Sequence, residues 1–454
     1  MLFMPNTPEF AISFYGVLKA GGTVTAANPL SGKTELEFQM RDSGAETIVI
    51  AENLLESSEE IVSRLDPDRV VVVGNDRRGF RLFSEMTSFS EFAKLPRIDP
   101  HEDIAVLQYT GGTTGMPKGA MMTHFNLAAN AIQNATWFGW RPGETVMGIL
   151  PFYHTWGSNV CLNSPAFTGC TVVLMEKFDA SEALALVEKR RVNIMYGSAT
   201  MFNMLLQEPG IEKRDLSSLR YVKAGAMPVP DELRKRWDKT TGIPLILGYG
   251  LSEASPETHD SPLGRVKSNS IGIPLIDTDA RIVDAESEEN ELKPGETGEL
   301  LIRGPQVMKG YWRQPEGETG SVRNGWLHTG DIAEMDTEGY FYIRDRKKDL
   351  IKYKGYSIAP AEVENILYRH PAVLECAVIG KPHPAFGETP KAFVVCRDGT
   401  GTDAPELMEF CNCRISPYKK IREIEFIESI PKNTVGKILR RVLRQRDKNS
   451  GCQK

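Results

Sequence analysis

Short β-branched apolar runs alternate with longer amphipathic stretches through the first half of the chain. The runs near Glu46–Ile50, Val70–Val73, Ile104–Tyr109, Val172–Met175, Asn193–Tyr196, Leu219–Lys223 and Pro244–Leu247 are nearly continuous in apolar residues. Runs of that kind suit parallel strands covered on both faces, and the intervening segments have helical spacing. Residues 10–29 predict a helix that ends at the Ala20-Gly21-Gly22 corner and leads into a short strand. After Gly264 the texture changes to short strands punctuated by Gly and Pro, DARIVDAES and GELLIRGP among them, which predicts an antiparallel β layer. A charged run, RDRKKD at Arg344–Asp349, follows. Beyond it the pattern predicts a helix at Ala361–Tyr368, strands at Glu375–Ile379 and Ala392–Cys396, and a helix near Glu406–Ile415, enough for a small α+β domain. The expected architecture is therefore α/β: a large domain over 1–345, built of parallel α/β units plus a β layer, and a small domain over 346–454.

Length agrees with two domains, since 454 residues exceed what one core usually serves. With 41% hydrophobic and 25% charged residues the composition is that of an ordinary globular protein. The net charge of -6 argues against a general nucleic-acid binder, which needs basic surface to displace phosphate counterions. The basic tail Lys437–Lys448 is the local exception and predicts a solvated helix face. Seven scattered cysteines without a CxxC pair fit a reduced, cytoplasmic setting. No apolar stretch is long enough to span a bilayer, which leaves at most peripheral membrane contact.

Chemistry concentrates first in YTGGTTGMPKG, residues 109–119, where three threonines, four glycines and one lysine follow an expected strand. Glycines let main-chain N–H groups approach an anion, the hydroxyls of Thr110, Thr113 and Thr114 add donors, and Lys118 supplies charge. Pro117 before that lysine and Gly119 after it exclude a Walker A loop. In GYGLSE, residues 248–253, Tyr249 can stack on a purine beside Gly250, and Glu253 offers a hard carboxylate to Mg²⁺; the same letters also suit a strand end turning into a capped helix. Asp331 in GWLHTGD predicts a carboxylate in a turn, able to accept from two ribose hydroxyls, or simply an Asx-turn.

The loop 109–119 resembles the signature loop of the adenylate-forming superfamily of acyl-CoA synthetases, luciferases and nonribosomal adenylation domains. The resemblance continues in order through LPFYHTWG, AGAMPV, GYGLSE, GWLHTGD, RDRKKDLIKYKGYSIAPAEVE and PKNTVGKILRR, essentially end to end. It implies an ATP- and Mg²⁺-dependent ligase that joins a carboxylic acid to coenzyme A through acyl-AMP. It assigns purine stacking to Tyr249, metal binding to Glu253, ribose binding to Asp331 and Arg346, and close approach to adenine or acyl carbonyl to Gly225 and Ala226. His154 would line the acid pocket. Lys437 matches the lysine that bridges carboxylate and α-phosphate, a role that requires a flexible cation because one anion attacks another. Lys348 matches the pivot between domains, where many acyl-CoA synthetases carry aspartate, and Lys352 and Gly355 match positions that serve thioester formation.

The resemblance also implies a substantial region ahead of MPNTPEFAISFYGVLKAGG; either the start is wrongly assigned or the chain is truncated, and in a truncated chain the large domain is expected to lack packing partners and expose apolar surface. Phe152, Trp156, Met201 and Phe202 predict a hydrophobic acid, a medium- or long-chain fatty acid first and an aryl acid second. A non-catalytic acyl-binding descendant is the rival from another class, opposed by the presence of Lys118, Glu253, Asp331 and Lys437.

Overall fold

The computed structural model describes residues 1–75, 78–86, 95–110, 117–226, 229–288, 290–314, 320–354, 356–397, 399–432 and 438–451. The chain packs as two compact units, Met1–Ala280 with Ile302–His328, and Arg281–Leu301 with Thr329–Lys454.

A seven-stranded sheet organises the first unit, in the order Ile273–Pro274, Glu257–Asp260, Leu245–Gly250, Tyr221–Ala224, Ile194–Gly197, Thr145–Gly148, Thr171–Leu174. The last five run parallel, and the first two add antiparallel strands at one edge. Successive side chains of a strand point to opposite faces, so the apolar runs feed two cores. Met147, Met195, Val222, Leu245 and Leu247 pack on one side with Leu184, Val187, Phe202 and Trp237 from the covering helices. Val146, Ile194, Tyr196, Tyr221 and Ile246 pack on the other with Phe138, Trp140, Trp156 and Val160.

A second, four-stranded sheet, all parallel, joins Leu2–Phe3, Ile48–Ala51, Val70–Val73 and Arg81–Leu82. The first helix, Pro8–Lys19, starts under the side chain of Thr7 and stops at Ala20, as its sequence predicts. The strand expected after it is absent as such. Residues 24 and 26 instead make single bridges, Val24 to Val106 and Ala26 to Leu2, where the chain passes from one sheet to another.

The second unit contains the antiparallel pair Trp326–Met335 and Phe341–Arg346, in one sheet with Thr297–Arg303 and Asp279–Val283. Another sheet follows: Tyr356–Ile358, Ile351–Tyr353, Gly387–Cys396, Val373–His383, with Glu423–Phe426 parallel to Gly387–Cys396. Helices Pro360–Leu367 and Ala404–Asn412 cover it through Val363, Leu367, Leu407 and Cys411.

One expectation is corrected here. The basic tail is not a solvated face throughout: in the helix Arg440–Gly451, Leu443 is buried and Arg440 pairs with Glu364 at 2.7 Å. Within RDRKKD, Asp345 and Asp349 are buried and Arg444 holds Asp349 at 2.8 Å. Among the described residues the six cysteines are free, and no helix is long and apolar enough to cross a membrane.

Candidate active site

In the first unit the expected site residues collect at the carboxyl ends of neighbouring parallel strands. His154 follows Thr145–Gly148, Gly225 and Ala226 follow Tyr221–Ala224, and Tyr249 and Gly250 end Leu245–Gly250. Open α/β sheets place their ligands at such strand ends. Small residues are required here. A Cβ on Gly250 would lie 2.3 Å from the Pro256 carbonyl oxygen, and one on Gly225 would lie 3.2 Å from the Trp156 ring. Ala226 adopts φ +64°, a left-handed conformation in which main-chain groups turn sharply out of the strand.

Glu253 follows on a single turn, Ser252–Ala254, and its Oε1 accepts a hydrogen bond from the Tyr311 hydroxyl at 2.5 Å. Tyr311 reaches it from a short strand, Gly310–Tyr311, that pairs with Lys118–Thr123. Lys118 Nζ lies 5.1 Å over the same Tyr311 ring and donates to Gln314 Oε1 at 3.1 Å. The lysine of one motif and the carboxylate of another are thus brought to one tyrosine. Tyr311 escaped the sequence reading because its role comes from strand pairing; the flanking Gly310 and Trp312 were the only local signal.

The hairpin that carries residues 111–116 is fixed at its base. Thr110 stands opposite Lys118 and Tyr109 opposite Gly119. Tyr109 donates to Asp42 Oδ2 at 2.5 Å, and Trp312 Nε1 donates to the Asp42 carbonyl at 2.9 Å. Burial, then the Asp42 carboxylate, pushes the Tyr109 phenol well above its usual range, so it stays a donor. His154 acts locally: its Nδ1 accepts from the Trp156 N–H at 3.2 Å and caps the turn Thr155–Ser158.

In the second unit Asp331 lies inside the strand Trp326–Met335, not in a turn as expected. Gly330, at φ +67°, and a bulge at Ile332/Ala333 distort that strand around a buried carboxylate. Arg346 stands directly opposite in the register, its Nε 2.6 Å from Asp331 Oδ1. The two residues are thus adjacent, joined as an ion pair. Next to it, Lys347 bridges Glu288 Oε1 at 2.5 Å and Glu299 Oε2 at 2.8 Å. Lys348 is exposed, and Lys352 is exposed in the strand Ile351–Tyr353 with its N–H on Glu388 Oε2 at 2.9 Å. Thr113, Thr114, Gly355 and Lys437 lie outside the described residues.

Residues 1–312 match the model of the AMP-binding enzyme family, and residues 362–437 match that of the AMP-binding enzyme C-terminal domain. The chain belongs to the AMP-binding enzyme family. A long-chain-fatty-acid–CoA ligase of Bacillus subtilis (strain 168) is 41% identical, the alignment covering 97% of this chain and 84% of that one. Among solved structures, ATP-bound MatB from Rhodopseudomonas palustris superposes with TM-score 0.89 at 28% identity, over 98% of this chain and 88% of that chain. The anthranilate CoA ligase AuaEII in complex with anthranoyl-AMP does so with TM-score 0.87 at 28% identity, over 99% and 87%.

The family's nucleotide and metal suit the residues present. Glu253 is half-buried, a hard oxygen donor with a tyrosine hydroxyl steadying one oxygen, and the Lys118 ammonium over the same tyrosine is a cation of the kind a phosphate would need. Glycine at 225 and 250 leaves main chain open where a side chain would collide.

Proposed function

We propose that this AMP-binding enzyme is an AMP-forming acid–CoA ligase whose carboxylic acid is hydrophobic, with medium- or long-chain fatty acids first and aryl acids second. The observation that carries the reading is the convergence of Lys118 and Glu253 on Tyr311, beside the paired strands Ile104–Thr110 and Lys118–Thr123. A cation and a carboxylate from distant parts of the sequence, lying at one tyrosine, support a role for both with MgATP. In the first half-reaction a carboxylate oxygen bonds to the α-phosphorus and pyrophosphate leaves. In the second the coenzyme A sulfur bonds to the acyl carbon, its proton passes to solvent, and AMP leaves.

Glu253 would hold Mg²⁺, which supplies charge neutralisation on the phosphates. Thr110, Thr113, Thr114 and Lys118 hold phosphate oxygens. Tyr249 and Gly250 take the purine, Gly225 and Ala226 let the main chain approach the adenine or the acyl carbonyl beside the acid, and Asp331 with Arg346 takes the ribose. Lys437 stabilises the charge that develops on the α-phosphate. Under this reading, with domains of 1–345 and 346–454, Lys348 is the pivot, and rotation of its backbone would separate the half-reactions, Lys437 serving the first and Lys352 with Gly355 the second. His154, which orders the turn that carries Trp156, shapes the acid pocket from behind. The setting is cytoplasmic.

The test is acid-dependent pyrophosphate release from MgATP across a panel of fatty and aryl acids, with and without coenzyme A. Release with a hydrophobic acid and thioester formation on adding coenzyme A are expected; no release with any acid removes the ligase reading.

A further inference from the structure

Three ionisable side chains are sealed inside the first unit, against the strand ends that carry the site. Lys223 Nζ lies 2.6 Å from Glu257 Oε1 and 2.6 Å from Asp260 Oδ1, with side-chain exposures of 2%, 3% and 0%. Strand alternation puts Lys223 on the same face as Tyr221, so its ammonium emerges among aromatic rings, 5.3 Å from both Phe138 and Tyr196. The cluster abuts the site backbone. A Cβ on Gly248 would fall 2.0 Å from Asp260 Oδ1 and 2.6 Å from Lys223 Cε.

Burying an isolated charge is expensive, and buried ion pairs rarely improve on apolar packing of the same volume. Stability alone therefore gives no reason for this cluster. What it delivers is position. Glu257 is anchored through its main chain and one carboxylate oxygen: its main-chain N–H donates to Asn130 Oδ1 at 3.0 Å, its carbonyl accepts from Asn130 Nδ2 at 2.8 Å, and its Oε1 faces Lys223. That same Oε1 accepts the indole N–H of Trp156 at 3.0 Å. The six-membered-ring edge of that indole next to the N–H, Cζ2 and Cη2, is the surface that a side chain at Gly225 would strike. A ring free to change rotamer would leave that wall undefined; one tied to a fixed carboxylate does not.

We infer that Glu257, held by Lys223, is a positioning residue that locks Trp156 as the rigid wall of the acid pocket behind Gly225 and thereby sets the largest acid accepted. The inference rests on the assignment of Gly225 and Ala226 to the acid site under the ligase reading. Asp260 completes the cluster by fixing the lysine against Gly248.

The experiment uses the full chain and measures pyrophosphate release with straight-chain acids of increasing length and with substituted benzoic acids. Trp156→Phe keeps a ring and removes the N–H; Glu257→Gln keeps an oxygen and removes the charge. Each single change should raise kcat/KM for the bulkiest acids relative to the compact ones by about tenfold, while the KM for ATP stays within about twofold. Because Trp156→Phe breaks and Glu257→Gln weakens the same link, the double variant should shift the ratio no further than Trp156→Phe alone. An unchanged acid profile in folded Trp156→Phe, or additive shifts in the double variant, overturns the inference; if Glu257→Gln does not fold, Trp156→Phe decides alone. Absence of release from the wild type with every acid overturns the ligase reading and this inference with it, whereas release with unaltered profiles overturns the inference only.

Discussion

Both units bury charge, but they do so differently. In the first, Lys223, Glu257 and Asp260 are sealed among aromatic rings on the face of a parallel sheet. In the second, Asp345 and Asp349 flank Lys348, and the arginines that serve Asp349 and Glu364, Arg440 and Arg444, come from the C-terminal helix and reach solvent at 16% and 35% side-chain exposure. A sealed cluster can hold only one arrangement, since parting its members strands a charge in low dielectric. A partly hydrated network can be broken and remade at small cost, because water takes up the released charges. The first suits a wall that must stay put; the second suits the neighbourhood of a pivot.

The largest expected effect comes from breaking the sealed cluster. Lys223→Met leaves two carboxylates without their cation and should cost about 3–5 kcal/mol, read as a lowered thermal midpoint of the unit that contains it. Removing Asp260 as well should restore part of that loss. A Lys223→Met chain with wild-type stability would mean that the carboxylates are solvated and the contrast is false.

The next effect is a pH dependence in the second unit. Burial pushes the Asp345 carboxyl up from 3.8 to about 6, against the pull of Arg440 and of the Ala361 N–H that it accepts. Between those two values the folded state binds more proton than the unfolded one, so stability falls as pH rises through that window, by roughly 3 kcal/mol in all, and is then level. Asp345→Asn should flatten the slope of melting temperature against pH over that range; an unchanged slope would assign it to another group.

Smallest is Arg444→Ala. It removes a partly exposed arginine from the buried Asp349 carboxylate, and Arg440 remains 3.9 Å away to hold that charge, so the loss should be about 1–2 kcal/mol, well below that of Lys223→Met. A loss as large as that of Lys223→Met, measured in the same unfolding assay, would erase the distinction between the two clusters.

The parallel strands were legible because β-branched runs bounded by Gly and Pro have few other uses; Val70–Val73 stands where the pattern put it. Asp331 was misread because a Gly-Asp pair signals a turn locally, while the bulged strand around it depends on the partner Phe341–Arg346. Lys223 was illegible for a related reason. In YVKA it reads as an outward-facing strand residue, and its partner Glu257 is 34 residues away, joined to it only by sheet order. Tyr311 likewise gains its place between Lys118 and Glu253 from pairing with Lys118–Thr123. Local pattern carries elements and motif chemistry; which motif residue meets which is decided by topology.

The central claim, one ligase whose two half-reactions use different residues, is tested most directly by measuring both halves on Lys437→Ala. Acyl-AMP formation from acid and MgATP should fall by about 10² to 10³, as expected for a lost transition-state charge, while thioester formation from supplied acyl-AMP and coenzyme A keeps most of its rate. Equal loss in both half-reactions on folded protein would contradict the account.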